Sequence, residues 1–243
     1  MKKLYKDSLW NKIHEEVGSF KNDESMQEFF RKNILNFSNL TDSLTSIVSN
    51  KLISHDISEN IIINNVNKAF LDNDIMEAIE EDINEVFKKD PACNFFFQPI
   101  LFYKGFHSIM AYRVANYWVN EKPSFSMYIQ SIISEKFNVD IHPNANIGKG
   151  IMVDHASGVV IGETATIGDY SSLFHGVTLG GVGSEKGQRH PQIGKNVMLS
   201  ANSTIVGNIK IGDNVKIGAG SVVLNDIPEN STAVGVPAKI INN

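Results

Sequence analysis

Aliphatic residues recur at every sixth position across the second half of this 243-residue chain, and few folds can use that period. The series opens at Ile141, Ile147 and Val153, slips by two residues near Val159, and resumes at Ile161, Ile167, Leu173 and Leu179. Residues 180–192 interrupt it, and it returns at Ile193, Leu199, Ile205, Ile211, Ile217 and Val223. Glycine often follows the aliphatic residue, as at Gly148, Gly168 and Gly212, and small or branched residues often sit four places after it, as at Ala145, Ser171 and Ser221. A helix repeats near 3.6 residues and a strand at 2, so neither alone gives six. A unit of one short strand plus one turn does. Three such units close a triangular coil whose aliphatic residues point inward. One coil cannot bury its own face, so coils must stack. The series predicts a three-sided parallel β-helix over residues 141 to about 227.

Upstream the period is helical. Leu9, Ile13 and Val17 are spaced for one apolar face, as are Phe30 and Ile34, then Leu44, Ile47, Val48 and Leu52. One helical stretch is expected over 60–88, with Ser58 as its N-cap and the stop at Lys88-Lys89-Asp90-Pro91. A second runs from about Ile100 to Trp118, Pro123 breaks it, and a last helix covers about 124–137. The expected division is a helical domain, 1–139, and a coil domain, 140–243, with a projecting loop at 180–192. That glycine-rich, polar loop has no place in a regular coil, and loops held on rigid scaffolds often carry function.

Composition narrows the function. The formal net charge is -5, from 27 acidic and 22 basic residues, which argues against a nucleic-acid partner. Cys93 is the one cysteine, so neither an intrachain disulfide nor a four-cysteine zinc site is available. No run reaches the roughly 18 apolar residues of a membrane span. The N-terminal MKKLYKDSLW lacks the apolar core of a signal peptide, so a cytoplasmic location is expected.

Specific motifs lie on this framework. DIHPNANIGKGIMVDHASGVVIGETATIG, HGVTLGG, RHPQIGKNV, IGAGSVV and GVPAK, with KKDPA and LFYKGFHSIMAYRVANYW upstream, resemble the serine acetyltransferases of bacteria and plants. The likeness is strong from about residue 88 to 240, whereas residues 1–87 match only as a helical region. The hexapeptide pattern by itself serves many acyltransferases; the combination of DIHP, DHA, the RHP loop and DPA is specific. The resemblance implies an α+β chain: an N-terminal all-helical domain followed by a left-handed parallel β-helix. It implies acetyl transfer from acetyl-CoA to the hydroxyl of L-serine, the first step from serine to cysteine. It also implies a trimer or a dimer of trimers, with the site in a groove between neighbouring prisms. The alternatives are a hexapeptide acetyltransferase for another hydroxyl acceptor and an inactive structural homologue.

The resemblance also assigns residues. His155 matches the base that takes the serine proton, a role suited to an imidazole, and Asp140 matches the carboxylate that orients it. Asp90 and Asp154 would face the ammonium and hydroxyl of serine. Arg189 and His190, on the loop, would hold its carboxylate, where a guanidinium can pair bidentately. Gly180, Gly181, Ala201 and Ala219 match positions along the pantetheine arm, and Lys216 one near the nucleotide. None of His142, His155, His175 and His190 forms the H-x₄-H pair of zinc-binding relatives, so no metal is expected. L-cysteine, which resembles serine, is an expected inhibitor. The chain ends at KIINN, soon after GVPAK, without the long tail that many members insert into O-acetylserine sulfhydrylase, so that complex is not expected.

Overall fold

The computed structural model describes residues 2–183 and 187–241. Loop residues 184–186 and the terminal Asn243 lie outside the described residues. The chain begins with helices α1 (Lys2–Ser19), α2 (Gln27–Phe30), α3 (Leu40–Leu52), α4 (Glu59–Phe70) and α5 (Asn73–Lys89). A π-helical turn, Arg31–Leu35, follows α2. Then come α6 (Phe97–Phe102), α7 (Lys104–Trp118) and α8 (Pro123–Phe137).

Two of the expected helices are each two helices. The stretch 60–88 breaks at Leu71-Asp72, because the Asp72 carboxylate accepts from the backbone N–H groups of Asp74 (2.9 Å) and Ile75 (3.2 Å) and starts α5 afresh. Ile75 and Ile79 keep the apolar phase across that break, which hides it in the sequence. Ser58 does precede α4, but its side chain makes no capping hydrogen bond. The stretch from Ile100 to Trp118 breaks at Tyr103, whose backbone is extended (φ -92°, ψ 109°). Pro123 opens α8 at a position where its missing N–H costs nothing.

From Val139 the chain winds as a parallel β-helix. The first face stacks β1 (Val139–Ile141), β4 (Val159–Ile161), β7 (Thr178–Gly180), β10 (Thr204–Val206) and β13 (Val222–Val223). The second stacks β2 (Asn146–Ile147), β5 (Thr166–Ile167), β8 (Gln192–Ile193) and β11 (Lys210–Ile211). The third stacks β3 (Met152–Val153), β6 (Ser172–Leu173), β9 (Met198–Leu199), β12 (Lys216–Ile217) and β14 (Thr232–Gly235), with β15 (Ala238–Ile241) antiparallel at its edge. All thirteen in-phase aliphatic residues are buried inside the prism. Burying each such side chain contributes about 2 kcal/mol. Strand pairing displays the irregularities as changes of register. Thr204 pairs with Val222, eighteen residues on. Val139 pairs with Val159, twenty on. Thr178 pairs with Thr204 across the projecting loop.

The helices grip the start of the coil. Gly105, at the beginning of α7, lies so close to β3 that a Cβ there would fall 1.9 Å from the Val153 carbonyl oxygen. Asp82 of α5 and Arg113 of α7 form a fully buried, bidentate ion pair. Both reach into the coil: Asp82 accepts from the Ile151 N–H (2.7 Å), and Arg113 donates to the Gly148 carbonyl (2.8 Å). Lys89, at the end of α5, donates to the Tyr170 carbonyl (2.5 Å).

Candidate active site

The two-residue slip in the repeat is a turn, residues 154–158, that joins the third face back to the first. His155 and Ala156 both adopt left-handed backbone angles there (φ 56° and 57°). Such angles cost an L-residue roughly 1–2 kcal/mol and concentrate at functional sites. The turn is held from three sides. Gly158 N–H donates to the Asn138 carbonyl (2.7 Å), Gly176 N–H to the Ser157 carbonyl (2.8 Å), and the Lys104 ammonium to the Ser157 hydroxyl. The His155 side chain is 72% exposed, with Nε2 3.6 Å from the Asp154 carboxylate and the ring edge to face with His175, centroids 5.9 Å apart.

This turn forms one wall of a cavity of about 510 Å³, lined among others by Asp90, Tyr103, Lys104, Asp154, His155 and Ser157. The opposite wall comes from the helices. Asp90 closes α5 and accepts from the Ala92 N–H (2.8 Å). The Tyr103 hydroxyl neighbours Asp90 and Cys93. Burial, then the neighbouring Cys93 and Asp90, push the Tyr103 phenol far up, so it stays a donor. Burial likewise pushes the Cys93 thiol up, away from nucleophile chemistry. Three residues singled out in the sequence, Asp90, Asp154 and His155, thus meet at one cavity. Tyr103 and Lys104 were missed. The readable signal was Gly105, since a glycine near the start of an apolar helix marks a close backbone approach.

Asp140 is placed differently. It points outward from β1, just past the His155 turn, and its carboxylate accepts from Gln130 of α8 (2.7 Å). Among the described residues no hydrogen bond or ion pair joins it to His155; the nearest carboxylate to that ring is Asp154.

Arg189 and His190 lie on another edge of the prism, where the first face turns into the second. Thr164 organises this corner. Its hydroxyl accepts from the backbone N–H groups of Arg189 (3.1 Å) and His190 (3.2 Å) and meets His190 Nδ1 at 2.9 Å. The Thr164 N–H donates to the same nitrogen (3.2 Å). Nδ1 is therefore the acceptor, and Nε2 carries the ring proton. The buried His190 ring fits only because residue 162 is glycine; a Cβ there would lie 2.0 Å from Nε2. Burial, and next the Arg189 charge, lower the His190 pKa. Arg189 pairs with Glu163 (2.6 Å) and holds that carboxyl below its usual range.

The remaining expected residues follow the edges. Gly180 ends β7, and Gly181 faces His190 Nε2. Ala201 and Ala219 occupy the same corner position as His155 in later coils, after β9 and β12. Lys216, on the third face, lines a groove of about 370 Å³ with Lys89, Phe174 and Met198. Among the described residues no group of three or more His, Cys, Asp or Glu is placed to hold a metal ion, and no helix is long and apolar enough to cross a membrane.

Known proteins match both halves. Residues 9–111 match the family model described as serine acetyltransferase, N-terminal, and residues 190–225 the bacterial transferase hexapeptide model of six repeats. The first match extends the family likeness upstream of residue 88, into helices that the sequence motifs left unassigned. A serine acetyltransferase of Buchnera aphidicola subsp. Acyrthosiphon pisum is 47% identical over 238 residues, 96% of this chain and 87% of that protein. The crystal structure of the Neisseria gonorrhoeae serine acetyltransferase in complex with serine superposes with a TM-score of 0.92 at 41% identity, over 96% of this chain and 97% of that one. A serine acetyltransferase complex with cysteine gives 0.94 at 42%, over 97% and 99%. The Brucella abortus strain S19 enzyme in complex with coenzyme A gives 0.93 at 39%, over 96% and 95%.

Proposed function

This chain belongs to the serine acetyltransferase family, and from that premise we propose how its own residues move an acetyl group from acetyl-CoA to the hydroxyl of L-serine. The observation that carries the reading is the convergence of Asp90, Asp154 and His155 on one cavity, although Asp90 comes from a helix end and the others from a coil corner. Two carboxylates suit the ammonium of serine, and the exposed imidazole suits its hydroxyl. His155 takes the hydroxyl proton as the serine oxygen attacks the thioester carbon. The carbonyl π pair moves to oxygen, then returns as the carbon–sulfur bond breaks. The proton passes from His155 to the departing sulfur, giving O-acetyl-L-serine and CoA.

Asp140 is the proposed orienting carboxylate, reached when the exposed His155 ring swings from Asp154 towards β1 and Gln130 yields its hydrogen bond. Arg189 and His190 bind the serine carboxylate. Within one chain they belong to a different prism edge, so we place each site between two copies: the His155 corner of one protomer faces the Arg189 corner of the next. A trimer, alone or paired through the helices as a dimer of trimers, closes such a ring. The pantetheine arm follows Gly180, Gly181, Ala201 and Ala219, with Lys216 near the nucleotide phosphates. L-cysteine, sharing the ammonium and carboxylate of serine, would compete for the same pocket as a feedback inhibitor. The division into a helical domain, 1–139, and a coil domain, 140–243, and a cytoplasmic setting complete the proposal; the sulfhydrylase complex is not included.

A thiol-release assay with acetyl-CoA and a panel of hydroxyl acceptors tests this. L-serine should give the highest kcat/KM, with L-cysteine competitive against it. Preference for a sugar or for homoserine would overturn the acceptor assignment.

A further inference from the structure

The turn that carries His155 is gripped at both ends by the first two residues of α7. Gly105 presses against Val153, where its missing Cβ leaves room for the Val153 carbonyl, and Lys104 reaches the Ser157 hydroxyl. Asp154, His155 and Ala156 lie between those two anchors. Inside that span the bonds are very local: Ala156 N–H donates to the Asp154 carbonyl (2.6 Å), and Ser157 N–H to the His155 carbonyl (2.6 Å). Each closes three residues around a central residue of positive φ, the rarer and more strained kind of tight turn. Such a conformation persists only where its surroundings hold it.

Backbone bonds from Gly158 and Gly176 steady the far rim of the turn. The contribution of Lys104 differs in kind. Among the described residues, its bond is the one side-chain hydrogen bond that reaches residues 155–158. It is also an uncommon use of a lysine. The cavity holds two carboxylates, Asp90 and Asp154, that suit an ammonium, but the Lys104 bond goes to a neutral hydroxyl on the turn. A long, rotamer-rich side chain is ordered to make that bond, and its charged donor makes it stronger than a neutral pair.

We propose that Lys104 is a positioning residue that acts through Ser157. Gly105 holds the Val153 end of the turn and Lys104 the Ser157 end. Together they keep His155 in its left-handed conformation, with the imidazole aimed at the serine hydroxyl. The proposal rests on the reading above, in which His155 takes that proton. Lys104 touches neither serine nor the thioester and keeps its own proton throughout. Releasing the Ser157 end lets the turn relax towards ordinary negative φ, which redirects the His155 side chain. Proton transfer needs the two heavy atoms within hydrogen-bond reach, so a small displacement slows the reaction strongly. Binding of the serine ammonium is spared. Asp90 belongs to the helices, and Asp154 is fixed by a coil bond, its N–H donating to the Leu173 carbonyl (2.8 Å).

Steady-state kinetics of two single variants and their combination separate this role from a structural one. Lys104→Met keeps the stem and removes the ammonium; Ser157→Ala keeps the backbone and removes the acceptor. Each should lower kcat roughly 10- to 10²-fold while KM for L-serine stays within about two-fold of the parent. The double variant should lose no more than the worse single one, because the same bond is broken each time. A general loosening of helices from coil would instead make the two losses multiply. Multiplied losses would overturn the proposal, as would a parent kcat in Lys104→Met. A raised KM for L-serine at parent kcat would also overturn it, and would make Lys104 a direct ligand of the serine carboxylate. His155→Ala is run beside them. If it destroys turnover and Lys104→Met does not slow it, the proposal alone falls; if it leaves the rate intact, the reading beneath falls too.

Discussion

Two corners of the same prism are built in opposite ways. At the turn 154–158 the backbone is strained and tightly held, but the His155 ring projects into a cavity, largely exposed, with only the Asp154 carboxylate and the edge of the His175 ring beside it. At the corner of Thr164, Arg189 and His190 the functional side chains are themselves tied down, to Glu163, to Thr164 and into the space left by Gly162. The first corner leaves its imidazole free to move a proton. The second presents a preset guanidinium and imidazole that pay little ordering entropy on binding an anion. The two corners stand on separate edges of one chain, and in the proposed reading neither is a whole site.

Removing His155 tests the open corner most sharply. His155→Ala should lower kcat by roughly 10²–10⁴-fold. Because the side chain is 72% exposed, Tm should move by no more than a degree or two, and a steady-state assay paired with a thermal melt reads both. The support beneath that corner should respond in reverse. Asp82→Asn strands the buried Arg113 charge and loosens α5 and α7 from Ile151 and Gly148, so unfolding stability should drop by about 3–5 kcal/mol. Denaturant titration measures it, and an unchanged midpoint would remove the pair from the interface between helices and coil.

Acid should also act on the support. His107 of α7 donates from Nε2 to the Ile100 carbonyl (2.8 Å), and burial, then the Lys51 charge, lower its pKa to about 4. A histidine in the unfolded chain takes up its proton near 6.5, before the folded one does. Stability is therefore whole above pH 6.5 and falls as pH drops towards 4, by about 3 kcal/mol in total. His107→Gln, which keeps a donor without titrating, should flatten that slope. The smallest effect belongs to the fixed corner. Thr164→Val removes the hydroxyl that gathers Arg189 and His190, costing about 1 kcal/mol and raising KM for L-serine more than it lowers kcat. A kcat loss with KM unchanged would mean that this corner acts on the reaction and not on binding.

The coil was legible because its period is local: each inward aliphatic residue reports its own coil, and the departures from the period, at 154–158 and in the loop, fall where the two corners are. Asp90, Asp154 and His155 were legible through short motifs. The residues that join the halves were not. Asp82 and Arg113 lie on apolar helix faces, and only their partner, distant in sequence, explains a charge there. Tyr103 reads as one more aromatic residue until the break it occupies is seen. The division at Asp72 was hidden for the opposite reason, since apolar spacing ran straight across a capping carboxylate. Asp140 is the clearest limit: the motif pairs it with His155, while the folded chain gives its carboxylate to Gln130.

If a complete site draws one corner from each of two copies, mixed oligomers will reveal it. His155→Ala and Arg189→Ala variants, each of low activity alone, are co-expressed or unfolded and refolded together. Random assembly gives each interface about a one-in-four chance of joining an intact His155 corner to an intact Arg189 corner. The mixture should therefore recover about a quarter of the parent activity, with KM for L-serine at the parent value. Activity no higher than the average of the two separate variants would contradict a shared site and return both corners to a single chain.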